Sequence, residues 1–132
     1  MKIDRKIVYE KYNWLCAYTW KPLWDDWQVD HIKPKWQFGY VTKTPDHENM
    51  NHVDNLLPAI RRVNHYKRGL DLEWFRSYML RFHERLRKLP KKTRVESTQK
   101  RIDYINHIAE LFWITPDKPF DWKFYFEKIT PL

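Results

Sequence analysis

Leu72, Phe75, Met79, Phe82, Leu86 and Leu89 recur at alternating spacings of three and four, and only a helix gathers such positions onto one face. The spacing predicts one amphipathic helix over about 72–89, opened by Asp71 as an N-cap and ended at Leu89-Pro90-Lys91-Lys92. Ile102, Ile105, Ile108, Ala109 and Phe112 predict another over about 95–113. Both stripes read more simply as core than as cofactor contacts. A chain of 132 residues can bury one core but hardly two independent ones, so a single domain, 1–132, is expected.

Strand signals share the chain with these helices. Residues 14–32 are rich in aromatic and β-branched side chains, broken at Lys21-Pro22 and Asp25-Asp26, which predicts a hairpin whose second strand runs Trp27–His31 and stops before Pro34. Leu56–Ala59 reads as a short edge strand that tolerates Pro58. A short helix from about Ile60 to Arg68, closed by Gly69, follows, and Asp4 is placed to cap another reaching Tyr12. The tail alternates, with Phe120, Trp122, Phe124 and Phe126 on one side and Asp121, Lys123, Tyr125 and Glu127 on the other, and this predicts a terminal strand. The fold class expected is α+β. The polar stretch between Lys35 and Asp54, with Gly39, Pro45, Asp46, Asn49 and Asn51, is longer than an ordinary connection, as functional loops often are. Most of Trp14, Trp20, Trp24, Trp27 and Trp36 are expected in the core, although aromatic rings also stack on unpaired bases.

Lys and Arg outnumber Asp and Glu by 25 to 17, for a formal charge of +8. That balance favours a polyanionic partner, with nucleic acid the first candidate. Lys91, Lys92 and Arg94 read either as a DNA contact or as a solvated connector. Cys16 is the only cysteine, which excludes an intrachain disulfide and a cysteine-rich zinc site within one chain. Residues 1–6 show no secretory signal, and no uncharged apolar run approaches the roughly 18–20 residues that cross a bilayer. A cytoplasmic protein with no membrane association is expected.

Three blocks carry the chemistry: Asp30-His31, Asn55-Leu56-Leu57-Pro58-Ala59, and Asn64-His65-Tyr66-Lys67. Phosphodiester hydrolysis needs oxygen donors for a hard cation, a base for the attacking water, and positive charge around the phosphate. Asp30 offers a carboxylate and Asn64 an amide oxygen. Histidine titrates near neutrality, so His31 suits the base. Ile60, Val63, Asn64 and Lys67 fall on one helical stripe, while His65 points elsewhere. Asp30 and His31, as neighbours on a strand, converge only where it ends or bends. His47, His52, His83 and His107 belong to no such pattern and read as surface or packing residues.

In these blocks, quoted more fully as Gln28-Val29-Asp30-His31-Ile32-Lys33-Pro34, Asn55-Leu56-Leu57-Pro58-Ala59 and Asn64-His65-Tyr66-Lys67-Arg68-Gly69, followed by Leu72-Glu73-Trp74-Phe75-Arg76, the chain resembles the HNH endonuclease family. It is most similar to the variants with Asn in the last position, and in its tail to small phage-type members. The resemblance covers about 12–76 and implies a ββα-metal core, with 77–132 as a C-terminal helical extension ending in a strand. It implies hydrolysis of DNA, by cutting or nicking, in a bacterial or phage-infected cell. Asp30 and Asn64 would hold Mg²⁺ or Mn²⁺, His31 would activate water, and Asn55 would fix the loop that orients His31. Arg61, Arg62 and Lys67 would contact phosphate. Many relatives also carry two Cys-x-x-Cys pairs that bind structural zinc; the matching positions here are Cys16, Thr19, Ile60 and Val63, so no structural zinc is expected and apolar burial takes its place. A non-catalytic DNA-binding or assembly module on the same fold and an RNA-directed nuclease are the alternatives.

Overall fold

A computed structural model describes residues 3–34 and 51–129. Most of the polar loop falls outside them, including Trp36, Gly39, Pro45, Asp46, His47 and Asn49. The chain forms two compact units, one of Met1–Phe75 with Phe124–Leu132, the other of Arg76–Lys123. The architecture is mixed helix and strand, consistent with an α+β chain.

The first unit opens with helix α1, Arg5–Glu10, capped as expected: the Asp4 carboxylate accepts the Lys6 and Ile7 N–H groups. Lys11, just beyond it, donates from Nζ to the carbonyls of Val53 and Leu56, each at 2.9 Å. Burial lowers the pKa of this amine against the opposing pull of Asp54. Strand β1, Gln28–His31, pairs antiparallel with β2, Leu56–Ala59, in the register Asp30 opposite Leu57 and Val29 opposite Pro58. In an antiparallel pair, alternate residues turn their polar groups away from the partner. Pro58 occupies such a position, since its carbonyl accepts the Ala17 N–H at 2.9 Å; the missing donor therefore costs the ladder nothing.

The hairpin expected within 14–32 is replaced by this longer-range pairing. Leu15 and Pro22 form only an isolated bridge, and the turn between them lies along the outer side of β2 through Ala17. Asn13, Trp14 and Trp20 have φ of 56°, 67° and 65°, left-handed values that interrupt an extended run. The same turns bring tryptophans outward. Trp14, Trp20 and Trp24 are each 58% exposed, contrary to the expected burial. Trp20 lies stacked on Tyr125, and Trp27 is half-buried beneath the Arg5 guanidinium.

Helix α2, Arg61–Lys67, follows β2 after a single residue, and its last turn is closed by Arg68 at φ 56° rather than by Gly69. Asp71 then accepts the Trp74 N–H at 2.8 Å and starts helix α3, Leu72–Leu80. The single long helix expected here divides at Arg81, whose φ and ψ of −101° and 1° leave the α region. Helix α4, Phe82–Lys88, continues the stripe, with Met79, Phe82 and Leu86 all buried.

In the second unit α4 packs with α5, Glu96–Phe112. The core there includes Ile102, Ile108, Ala109, Leu111 and Phe112, with Phe120 meeting Phe112 edge-on at 6.2 Å. No helix among the described residues is long and apolar enough to cross a membrane.

The tail is not a strand. Trp122, at φ 77° and 65% exposed, interrupts the alternation, and Tyr125–Ile129 closes into a short helix, α6. The Glu127 carboxylate accepts the Phe124 N–H at 2.9 Å, satisfying a donor at the start of that helix as a capping residue does. The alternating aromatics are buried nonetheless, because Phe124 and Phe126 cage Tyr18 at ring distances of 5.2 and 6.0 Å, and Phe75 approaches it at 5.7 Å. Phe75 stacks on Phe124 with an 8° interplanar angle.

Phe124→Ala should therefore cost about 3–5 kcal/mol, the usual loss for emptying a buried aromatic site. Trp24→Ala, on the exposed turn, should stay within about 0.5 kcal/mol of the parent. Denaturant unfolding of both variants measures the contrast.

Candidate functional site

Residues of β1 alternate between faces, so Gln28 and Asp30 share one. Helix α2 lies against that face, and its positions 64 and 67, three apart, match them. The Asn64 amide nitrogen donates to Gln28 Oε1 at 2.7 Å. Lys67 Nζ lies 3.2 Å from Asp30 Oδ1 and 3.1 Å from Oδ2. It also donates to the His31 carbonyl at 3.3 Å. The structure thus gathers Asp30, Asn64 and Lys67 on one side of the strand.

The ion pair is interior: Lys67 is 1% exposed and Asp30 6%. The Tyr18 hydroxyl donates to Asp30 Oδ2, adding a neutral donor to the ammonium. Burial pushes the Asp30 carboxyl upward from the ordinary aspartate value, while Lys67 and the Tyr18 hydrogen bond oppose it. Burial first, then the Asp30 charge, raises Tyr18 well above the usual phenol value, so it remains a donor. Lys67 was expected to contact phosphate; it faces Asp30 instead. Arg61 and Arg62, in the first turn of α2, are exposed.

His31, on the opposite face at the end of β1, takes a separate partner. Its Nε2 lies 2.9 Å from Asn51 Oδ1. The Asn51 oxygen can only accept, so Nε2 is the donor in this contact. Asn55 grips the chain that follows: its Oδ1 accepts the Lys33 N–H at 2.8 Å and its Nδ2 donates to the Lys33 carbonyl at 3.1 Å. The Ile32 N–H reaches the Asn55 carbonyl at 2.9 Å, so both chain segments are locked just beyond His31.

Gln28, Tyr18 and Asn51 are site residues that sequence reasoning did not single out. Two-residue periodicity points to Gln28 as a companion of Asp30. Asn51 lay unassigned in the polar loop. Tyr18 carries no local signal, because its hydroxyl meets Asp30 only through the tertiary fold.

As oxygen donors, one carboxylate and the Asn64 carbonyl, whose amide nitrogen is engaged by Gln28, suit a hard cation that keeps most of its coordination for water. The carboxylate already accommodates positive charge, in the form of an ammonium. Among the described residues no three His, Cys, Asp or Glu side chains gather as a metal cluster.

Cys16, Thr19, Ile60 and Val63 are all buried. The Ile60 N–H points to Cys16 Sγ at 3.5 Å. Burial raises the thiol pKa despite hydrogen bonds from Thr19, Ile60 and Tyr18, which keeps the sulfur protonated and packed as a small apolar group.

Comparison of the chain with protein-family models, with curated proteins and with solved structures found no match in any of the three.

Lys67→Met should destabilise the protein by about 3–5 kcal/mol, because it strands a buried carboxylate. The double variant Asp30→Asn/Lys67→Met should recover part of that loss, and chemical denaturation of the set measures the coupling. Cys16 should resist thiol-reactive dye in the native protein and react fully in denaturant; rapid native labelling would contradict its buried, protonated state.

Proposed function

We propose that this chain is a metal-dependent endonuclease of the HNH type, built on a ββα-metal core and hydrolysing DNA phosphodiester bonds. The observation that carries this reading is the placement of Asp30-His31 at the end of β1. Asn55 holds the next residues there, and Asn64 stands on the helix after β2 against the Asp30 face.

His31 is the general base. Its Nε2–H is committed to Asn51, which orients the ring and leaves Nδ1 to take the proton of an attacking water. Asn55 positions the base by fixing the backbone of Ile32 and Lys33. Asp30 and Asn64 would hold Mg²⁺ or Mn²⁺, and the bound ion would offset the negative charge that develops on the phosphate. Lys67 holds the Asp30 carboxylate from the interior. Arg61 and Arg62, on the exposed turn, attract the phosphate backbone. Buried Ile60 and Val63 stand where relatives of this family use zinc ligands, so purified protein is expected to carry no stoichiometric zinc by elemental analysis.

One observation favours a different reading. Both oxygens of Asp30 already have partners, Lys67 and Tyr18, as befits a structural carboxylate in a non-catalytic DNA-binding or assembly module. Digestion of duplex DNA, single-stranded DNA and RNA, each with Mg²⁺ and with chelator, separates the readings and reports the preferred substrate.

The nuclease reading predicts Mg²⁺-dependent cleavage of DNA. His31→Ala should cut the rate by about 10² to 10⁴, the usual scale for losing a general base, with circular dichroism and DNA binding unchanged. A folded His31→Ala variant that cleaves at the parent rate would sink the mechanism.

A further inference from the structure

The net charge of the chain is unevenly placed. Between Arg76 and Lys123 there are twelve Lys and Arg against six Asp and Glu, so the second unit carries +6 of the +8. Within it, residues 88–101 hold Lys88, Lys91, Lys92, Arg94, Lys100 and Arg101 against Glu96 alone, a net of +5. All six cations are exposed. Lys100 pairs with Glu96 at 3.5 Å across one helical turn; among the described residues no ion pair engages the other five.

The local fold keeps these charges together. Pro90 prevents α4 from continuing, Leu89 turns extended at ψ 135°, and the chain reaches α5 through a connector of residues 89–95. Three of the cations stand on that connector, one closes α4, and two lie in the second turn of α5. The first turn of α5 has no side-chain cap on its N–H groups, which adds partial positive charge of the same sign. Like charges so crowded repel one another and favour a polyanion that neutralises them.

We propose that this tip of the α4–α5 hairpin is a docking surface for the phosphodiester backbone of nucleic acid. The side chains present favour that partner over an anionic bilayer. Val95 is the exposed apolar residue of the segment, Leu89 is half-buried and Ile102 is buried, so there is no apolar face to enter a membrane. Thr93, Ser97, Thr98 and Gln99 instead supply polar groups of the kind that bond phosphate oxygens. The surface shares its partner with the nuclease reading but uses none of its chemistry. Binding measured in chelator therefore tests it separately from cleavage.

The experiment is fluorescence anisotropy of the full chain with a short labelled DNA duplex across a salt series in EDTA. Lys91→Gln/Lys92→Gln/Arg94→Gln should weaken binding about tenfold or more at low salt and flatten the log–log salt slope by about two to three. Lys118→Gln/Lys123→Gln, which lowers the charge of the same unit elsewhere, should change the slope by less than half a unit per charge. Lys88→Gln/Arg101→Gln gives the same readout as the triple variant should the latter not fold by circular dichroism. Parent-like affinity and slope in the patch variants would overturn the proposal, as would an equal loss per charge in the control. Binding of the parent to phosphatidylserine vesicles but not to the duplex would overturn it in favour of a membrane surface.

Discussion

The buried contact of Asp30 with Lys67 and Tyr18 is the interaction on which the first unit depends. Removing a carboxylate and an ammonium from water costs several kcal/mol per ion unless each finds close partners. Here both charges are almost fully enclosed, so the strand and helix that carry them have little freedom to slide. A shift of one residue along β1 would turn Asp30 to the other face and leave Lys67 alone inside. The pair thus specifies the register of β1 against α2, whatever its net contribution to stability. Tyr18 extends the constraint outward, because its ring sits among Phe75, Phe124 and Phe126. A hydroxyl near the start of the chain is thereby tied to aromatic residues near its end.

The same contact sets terms for any chemistry at Asp30. In the proposed nuclease the carboxylate must serve a divalent cation as well as its internal ammonium. Lys67 is therefore better understood as a group that holds Asp30 in place than as a surface ligand for phosphate. His31 is free of that competition. It projects from the other face of β1 and is oriented by Asn51, while the segment after it is clamped by Asn55. The two side chains are adjacent in sequence and oriented by different partners, Asn51 for His31 and Lys67 with Tyr18 for Asp30, while Lys67 links the two residues through its bond to the His31 carbonyl.

What was legible in the sequence followed from short-range rules. Asp4 and Asp71 cap helices because a carboxylate reaches N–H groups two or three residues ahead. The stripe from Phe75 to Leu86 is buried because helical spacing leaves it no other face. The ordered blocks around Asp30, Asn55 and Asn64 do meet across β1, β2 and α2. Less legible were features decided at long range or by backbone handedness. The partner of β1 lies beyond the polar loop, at Leu56–Ala59, and local pairing signals cannot weigh that against a nearby hairpin. Trp122 in the left-handed region breaks a strand-like pattern that still buries Phe124 and Phe126. Trp14 and Trp20 are exposed for a related reason, since left-handed turns take tryptophan outward where hydrophobicity alone argues for the core. Arg81 shows that a continuous apolar stripe need not be one continuous helix.

The division of charge gives the two units different physical tasks. The first has a net charge of only +2 by sequence, and its organising charges, Asp30 and Lys67, neutralise one another inside. The second spends apolar helix faces on its own core and leaves cations on a solvated connector, where long-range attraction reaches about a Debye length into solution. Attraction of that kind is insensitive to the geometry of the pairing around Asp30, and the pairing is insensitive to surface charge. Each property can therefore change without loss of the other.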